Sequence, residues 1–178
     1  MDELICVPLT RENFGPRSLD KFIRRQHVRQ CWRREGGALV LRPVEYVEDW
    51  DAPQRRGVAG SVLAAVSAGG AAFGALAGGE TVGFAVLSGK PLGSRGQYAD
   101  LTLFYVSEPF RGRGVGGTLF RMACAHAKKA GAEKLYISAH SAAEVMAVYR
   151  ALGCVEAEEP DPRHMAEEPW DVQLEFRL

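Results

Sequence analysis

Short apolar runs rich in β-prone residues dominate the second half of the chain. Between residues 172 and 178, apolar and polar side chains alternate one by one, a period of two that predicts a half-buried strand. The runs at 71–76 and 81–88 flank a turn-forming Ala-Gly-Gly-Glu segment, which predicts a hairpin. Two further runs, Tyr98–Val106 and Lys134–Ala139, are also predicted strands.

Between these strands, apolar residues recur at the spacing of an α-helix. Residues 117–130 are predicted to form a helix that ends at Gly131, with two lysines in its last turn. Residues 141–152 form a second predicted helix, because their apolar side chains recur on one face. Ser141 and Glu144 have the spacing of a capping box, in which each side chain bonds the other residue's backbone at a helix start.

The first third of the chain carries weaker patterns. We predict a strand at 5–9, a helix at 19–30, a strand at 38–42, a loop at 43–53 and a helix at 55–68. The helix predicted at 19–30 carries four basic residues, and we expect this basic face to lie in solvent.

The chain has 178 residues, a length typical of one domain, and 47% of them are hydrophobic, enough for a sizeable core. In chain order, the predicted elements are a strand, helices, a hairpin, a long strand, a helix, a strand, a helix and then two more strands. This mixed order predicts an α/β fold in which helices cover both faces of a mixed sheet.

The segment between the strand Tyr98–Val106 and the next helix has the clearest chemical signal. Four of the six residues 112–117 are glycine, which leaves several backbone amides unobstructed by side chains. At a helix N-terminus such amides point towards an anion, and the helix dipole adds attraction. Arg111 and Arg113 add positive charge beside them. The segment therefore predicts a site for a phosphate or a diphosphate.

Other phosphate motifs match this segment less well. The Gly-Lys-Ser/Thr of a P-loop is missing. Gly112-x-Gly114-x-x-Gly117 fits the dinucleotide-binding pattern, but that fold places an acid at the end of the next strand for a ribose hydroxyl. Here the strand Lys134–Ala139 is followed by His140. A turn without a ligand would need one or two glycines, because glycine is costly in conformational entropy.

Two motifs resemble those of a known family. The Arg-x-x-Gly-x-Gly at residues 111–116 is similar to the (Gln/Arg)-x-x-Gly-x-(Gly/Ala) diphosphate loop of the GNAT superfamily of N-acetyltransferases. Residues 148–154, Val-Tyr-Arg-Ala-Leu-Gly-Cys, resemble the family's aromatic-Tyr-x-x-Leu-Gly-Phe segment. Cys154 replaces the usual Phe, and Ala142 stands where many members have Asn.

The resemblance implies the GNAT fold, a mixed and mostly antiparallel central sheet of six to seven strands flanked by helices. Residues 1–178 would form one domain, with 1–70 shaping the acceptor side and 71–178 forming the acetyl-CoA-binding core. The implied reaction moves an acetyl group from acetyl-CoA to a primary amine by direct attack in a ternary complex, without a metal. The acceptor would be a small-molecule or peptide amine. Family members often form homodimers.

The resemblance also implies which residues contact acetyl-CoA. The backbone at the end of the strand pairs with the pantetheine in the family, and an amide near its last residue polarises the thioester carbonyl. The expected contacts lie in this strand end, the glycine loop and the starts of the two following helices: Phe104, Tyr105, Val106, Arg111, Gly112, Arg113, Gly114, Val115, Gly116, Gly117, Thr118 and Ser141.

Proton transfer needs an acid and a base. The family motif places Tyr149 as the general acid, because a phenol of pKa about 10 can protonate a thiolate whose conjugate acid has a pKa of about 8.5. A primary amine is mostly protonated at neutral pH, so a base is also expected. Asp100, inside the strand that precedes the loop, is the first candidate, at the position of the catalytic Glu in histone-acetyltransferase members. Glu48 and Asp49 are the alternatives.

Three aromatic residues of the first third, Trp32, Tyr46 and Trp50, are candidates for lining the acceptor site. Acidic residues between 156 and 168 are expected to form a solvated loop between the last two strands.

Composition limits the partners. The 22 basic and 22 acidic residues give a net charge of zero, which argues against nucleic-acid binding. The weakly apolar stretch at 58–79 is mostly Ala and Gly, too polar for a membrane span. The acidic N-terminus is unlike a signal peptide, and the four cysteines have no metal-site or disulfide-framework spacing. We therefore expect a cytoplasmic protein without a membrane partner.

Two other function classes stay open from the sequence. One is a GNAT-like module that binds acyl-CoA without turnover. The more distant one is a nucleotide-dependent oxidoreductase.

Overall fold

The computed structural model describes residues 3–178, which form strands and α-helices in mixed order. The elements are β1 (Leu4–Pro8), β2 (Gln26–Glu35), β3 (Ala38–Glu48), α1 (Ala52–Ser67), β4 (Ala71–Ala77), β5 (Glu80–Leu87), β6 (Tyr98–Val106), α2 (Val115–Lys129), β7 (Lys134–Ala139), α3 (Ala143–Leu152), β8 (Val155–Glu156), α4 (Pro162–Glu167) and β9 (Val172–Arg177).

Seven strands form one mixed sheet in the order β1-β4-β5-β6-β7-β9-β8. Only the β6–β7 pair is parallel, and every other pair in the described part of the sheet is antiparallel. The predicted α/β fold with a mostly antiparallel sheet is confirmed. No helix within residues 3–178 is long and apolar enough to cross a membrane.

The core is divided between the two faces of the sheet. Side chains of α2 and α3, such as Leu119 and Met146, pack against one face, and Ala85 of β5 points to them. The neighbouring residues on β5, Phe84 and Val86, pack against α1 on the other face. Successive side chains of β5 point to opposite faces of the sheet, so one strand contributes apolar residues to the core on both faces.

The sheet opens between β6 and β7. The two strands are paired only over Tyr98–Asp100 and Lys134–Tyr136. Beyond this pairing they diverge, while β6 continues to pair with β5 as far as Val106. The second half of β6 therefore has a free backbone edge towards β7, and a cleft forms there.

The predicted helix at 19–30 is wrong. Residues 16–21 form turns, and residues 26–35 belong to β2, which pairs with β3 in a separate two-stranded sheet. Leu19 and Phe22 have helical spacing because a single turn buries both of them, with the Phe22 amide bonded to the Leu19 carbonyl. The tertiary contact, and not a helix, explains the pattern.

The predicted loop at 43–53 is also wrong in its first half, because β3 continues to Glu48. Pro43 is tolerated inside the strand at a point where the register with β2 shifts, as expected for a residue that cannot donate a ladder hydrogen bond. Tyr46 and Glu48 are two positions apart on the strand, and both contact His140.

Part of the stretch expected to be a solvated acidic loop forms the short helix α4. Asp161 caps this helix, and its side chain accepts the His164 amide at 3.0 Å. This helix brings His164 against the sheet, next to Asp100 of β6.

Candidate active site

A cleft of about 1210 Å³ lies where β6 and β7 diverge. It is lined by the second half of β6, the glycine loop, α3, the end of β3 and the segment around α4. Most residues expected to contact acetyl-CoA or the amine line it: Phe104, Tyr105, Val106, Arg111, Gly112, Gly114, Val115, Gly116, Gly117, Tyr149, Glu48, Asp49 and Trp50. Those that do not line it are Asp100, Arg113, Thr118, Ser141, Trp32 and Tyr46.

The glycine loop presents a row of free amides to the cleft. Within the described chain, the backbone N–H groups of residues 112–117 donate no hydrogen bond, and the next amide, of Thr118, bonds to the Gly114 carbonyl at the start of α2. Gly112 and Gly114 have φ of +71° and +79°, which only glycine adopts without strain. Successive free amides at a helix N-terminus form an anion site.

Arg111 has a structural role that the sequence does not reveal. Its Nε donates to the Val106 carbonyl at 3.0 Å, and its two terminal nitrogens donate to the carbonyls of Arg24 and Arg25 at 2.8 Å. Burial lowers the pKa of this guanidinium. Its hydrogen bonds join the end of β6 to the segment before β2. The expectation that its side chain is free to meet a phosphate therefore needs correction.

We expect Arg111→Lys to destabilise the protein. A lysine cannot reproduce three donors in a fixed fork, so carbonyls beside the cleft lose partners. The expected loss in the free energy of unfolding is about 2 kcal/mol, measured by urea denaturation. Arg113→Lys is the matched control, because Arg113 is exposed and lies over the Phe110 ring. Equal losses in both variants would contradict the role of Arg111.

The other loop and helix-start residues lie beside the cleft. The Thr118 hydroxyl bonds to the Gly114 carbonyl and accepts from Arg121. Ser141 is buried and faces β2, where its hydroxyl accepts from Arg33 at 2.8 Å. The predicted capping box of Ser141 is wrong, since α3 begins after Ala142 without a side-chain cap.

Tyr149 lies on α3 with its ring packed against Phe104 of β6, at 5.9 Å between ring centroids. Its side chain is buried apart from a small part that lines the cleft. Burial raises the pKa of its hydroxyl, which therefore keeps its proton at neutral pH. This residue is a protonated donor beside the opening between β6 and β7.

Glu48 lies at the end of β3 in a network of charged and polar groups. Its two oxygens contact His140 Nε2 at 3.1 Å and Arg24 at 2.8 Å. The His140 bond is the larger cause of the lowered pKa of Glu48, and Arg24 lowers it further. His140 Nδ1 accepts the Ala142 amide at 3.1 Å, so Nε2 is the nitrogen that donates to Glu48. Glu48 is held as a carboxylate.

The position of Arg24 contradicts the prediction that the basic residues of 19–30 lie in solvent. Its side chain is buried, pairs with Glu48 and lies over the Tyr105 ring at 5.1 Å. It helps to fix one wall of the cleft.

Asp100 is buried under the cleft wall, with 1% of its surface exposed. Its Oδ2 contacts His164 Nε2 at 2.8 Å, and burial raises the pKa of the carboxyl. An acceptor amine cannot touch Asp100 directly in this arrangement. His164 lies between Asp100 and the cleft and does line it.

Asp171 is a cleft residue that sequence reasoning missed. It accepts the Ser138 hydroxyl at 3.0 Å, and burial raises its pKa. It has no basic partner within ion-pair distance in the described chain. In the sequence, Asp171 stands only as a polar residue before the last strand. The pairing of β9 with β7 brings it beside Ser138.

Of the three candidate aromatic residues, only Trp50 lines the cleft, where it packs edge-on against Tyr105 at 4.9 Å. Trp32 lies under Arg150. Tyr46 does not line the cleft, but its hydroxyl lies 3.3 Å from Nε2 of His140, which does.

Comparison with known proteins identifies the family. Residues 25–154 match the model of the acetyltransferase (GNAT) family. No curated protein matches the sequence. A candidate streptothricin acetyltransferase from Bacillus anthracis, solved with acetyl-CoA, is 14% identical with a TM-score of 0.72 over 99% of both chains.

Two other solved structures are similar over the whole length. Nourseothricin acetyltransferase is 16% identical, with a TM-score of 0.69 over 98% of both chains. A GNAT family acetyltransferase from Elizabethkingia anophelis with acetyl-CoA bound is 17% identical, with a TM-score of 0.59 over 100% of both chains. At these identities the likeness establishes the fold, and the family match establishes the membership. The chain belongs to the GNAT acetyltransferase family and is an acyltransferase.

Proposed function

We propose that this protein transfers an acetyl group from acetyl-CoA to a primary amine by direct attack in a ternary complex. The observation that carries the proposal is one continuous cleft. It joins the free amides of residues 112–117, the open edge of β6 and Tyr149 to a group of acidic side chains. Each part suits one part of the reaction.

The residues present fit acetyl-CoA. The free amides and the N-terminus of α2 suit a diphosphate. The unpaired edge of β6 offers backbone groups to the amides of a pantetheine arm. A Cβ on Gly116 would point towards Phe104 and Val106 at 3.5–3.6 Å, so glycine keeps the space between the loop and the strand open. When bound, acetyl-CoA supplies an acyl group activated as a thioester.

The acceptor end suits a cationic amine. Its lining includes the carboxylates of Glu48, Asp49, Glu168 and Asp171. Arg24 is a buried cation of the cleft lining, and it is paired with Glu48 at 2.8 Å. Asp171 has no basic partner among the described residues, so an incoming ammonium group can supply one. This lining favours a small-molecule or peptide amine that carries positive charge.

Two chain groups serve the acyl transfer itself. We assign to a backbone amide near Val106 the polarisation of the acyl carbonyl, which stabilises negative charge on its oxygen. We assign to the hydroxyl of Tyr149 the donation of a proton to the departing thiolate. Glu48 is held as a carboxylate by His140 and Arg24, so we assign it to binding the ammonium group and not to removing its proton.

The test is amine-dependent release of the CoA thiol. We expect the protein to release thiol from acetyl-CoA with primary amines, and kcat/KM for 1,3-diaminopropane to exceed that for propylamine by about 10-fold. One ammonium–carboxylate contact is worth about 1.5–3 kcal/mol, and 1.4 kcal/mol is tenfold. Spermidine, a lysine peptide and a streptothricin-class antibiotic extend the panel.

Calorimetry with acetyl-CoA, CoA and NAD(P) completes the experiment. Binding of acetyl-CoA without thiol release for any amine would contradict turnover and favour the non-catalytic module. Binding of NAD(P) in place of acetyl-CoA would favour the oxidoreductase. Hexamethylated 1,3-diaminopropane, in which both nitrogens are quaternary, keeps the positive charge but has no nucleophilic nitrogen; it is the control and should give no release.

A further inference from the structure

A buried carboxylate and an imidazole form a pair beneath the acceptor end of the cleft. Asp100 Oδ2 and His164 Nε2 are 2.8 Å apart. The Asp100 side chain is 2% exposed and the His164 side chain 15% exposed. Asp100 Oδ1 has no hydrogen-bond partner in the described chain. A buried carboxylate with one satisfied oxygen is costly unless its partner compensates for the lost hydration.

His164 is held in one orientation. Its ring stacks on Tyr136 at 5.5 Å and 20° between planes. Its backbone amide is fixed by the Asp161 side chain at 3.0 Å. Since Nε2 is directed at Asp100, the proton on that nitrogen is donated to the carboxylate, and the lone pair lies on Nδ1. Nδ1 has no protein partner within residues 3–178 and is not among the buried unsatisfied atoms, so it reaches solvent in a residue that lines the cleft.

The groups that face His164 come from four elements. Asp100 belongs to β6 and Tyr136 to β7. Arg163 precedes His164 on α4, and Asp161 caps the start of that helix. Arg163 reaches Asp100 Oδ2 at 3.8 Å. Asp171 lies just before β9. His164 and Glu168 are both near enough to Asp171 to affect the pKa of its carboxyl electrostatically. Acidic groups outnumber the one arginine, Arg163, among these neighbours of the ring.

We propose that His164, positioned by Asp100, is the base that takes the proton from the acceptor's ammonium group; this inference rests on the proposed function. One N–H bond of the ammonium breaks, and its proton moves to His164 Nδ1. The electron pair of that bond stays on nitrogen as the nucleophile. The imidazolium shares its other proton with Asp100 and later releases the transferred proton to water. Asp100 touches no substrate and is a positioning residue.

The proposal explains why an acid occupies a buried strand position. Burial raises the pKa of Asp100 because it removes water from the carboxylate. This loss of hydration destabilises the folded protein, and an apolar residue at the same position would avoid it. Glu48 suits the role of base less well, because its bonds to His140 and Arg24 lower its affinity for a proton. An imidazole changes charge near neutral pH, where proton transfer from an amine is needed.

The first experiment is the pH profile of kcat/KM in wild type and His164→Gln, with a cationic amine as acceptor. We expect a loss of about 100-fold at neutral pH, the lower end of the usual contribution of a general base. The fall in kcat/KM at low pH, the acidic limb of the profile, should disappear. The KM for acetyl-CoA should stay within about twofold, because the hydrogen bonds and ring contact of His164 are to Asp161, Asp100 and Tyr136 and not to the glycine loop. His126→Gln is the matched control, since His126 lies on α2 against Phe73 and lines no part of the cleft.

The second experiment uses Asp100→Asn. Without the carboxylate, the imidazolium loses its counter-charge, so the acidic limb should move to lower pH. NMR titration of the histidine ring protons gives a readout without turnover. His164→Gln identifies the His164 signal among the four histidines, and its midpoint should move to lower pH in Asp100→Asn.

The outcomes separate this inference from the function on which it rests. A wild-type protein that releases no thiol with any amine overturns the proposed function, and this inference with it. An active wild type with an unchanged acidic limb in His164→Gln overturns this inference alone. A lost limb in His164→Gln with unmoved profiles and NMR midpoints in Asp100→Asn would overturn the role of Asp100.

Discussion

Gly114→Glu is expected to weaken acetyl-CoA binding by about 100-fold or more. A carboxylate about 5 Å from a diphosphate repels it by about 3 kcal/mol at an effective dielectric constant near 20, and 1.4 kcal/mol is tenfold. A Cβ built on Gly114 meets nothing within 4 Å. The new side chain therefore has space in the open cleft, and the variant should fold. Calorimetry with acetyl-CoA measures the effect.

Gly114→Ala is the matched control. Residue 114 has φ of +79°, so any L-residue there costs about 1–2 kcal/mol of backbone strain. Alanine carries this strain without the charge. We expect a lower melting temperature in both variants but a large loss of binding only in the glutamate variant. Unchanged affinity in Gly114→Glu would overturn the assignment of the loop to a diphosphate.

The core of this fold was predictable because its signals are local. The strands Tyr98–Val106 and Lys134–Ala139 have the same bounds in the sequence prediction and in the structure, since each is a short apolar run between strong breakers. The hairpin of β4 and β5 follows from two runs around Gly78 and Gly79, both of which have positive φ. Turn chemistry and strand propensity agree there.

The β2–β3 hairpin shows where the same reasoning failed. Gly36 and Gly37, both with positive φ, form the two-residue turn that joins these strands, and this signal was present in the sequence. The helix predicted at 19–30 rests on helical spacing alone and does not use this turn signal. That spacing comes from two environments in succession: Leu19 and Phe22 enter one core cluster, while Val28 and Cys31 enter another.

The residues at the acceptor end of the site could not be predicted from local sequence patterns. Asp100 was singled out as an acid inside a strand, and it does lie near the cleft. Its partner His164 is 64 residues away in sequence, on the six-residue helix α4. Asp171 and Ser138 meet only because β9 pairs with β7. These contacts depend on sheet order, which alternation and spacing do not specify.

Turnover is expected to depend strongly on Tyr149. Its motif made it a candidate acid, whereas its place on the apolar face of α3 is equally typical of a core residue. The structure has both features, because the ring packs against Phe104 while the residue lines the cleft. Within residues 3–178 its hydroxyl has no hydrogen-bond partner, yet it is not among the buried unsatisfied atoms. The hydroxyl therefore opens to the cleft, where a bound ligand can accept its proton.

We therefore expect Tyr149→Phe to lower kcat by about 100-fold, a typical contribution of general acid catalysis, while acetyl-CoA binding changes by less than about threefold. The ring and its packing are kept, and only the donor is lost. Tyr105→Phe is the matched control, because it removes a hydroxyl from the same cleft at a residue packed against Trp50 and Arg24. Stopped-flow release of the thiol measures kcat, and calorimetry measures binding. Equal kcat in Tyr149→Phe and wild type, or a larger loss in Tyr105→Phe, would rule out Tyr149 as the acid and leave it as a core residue.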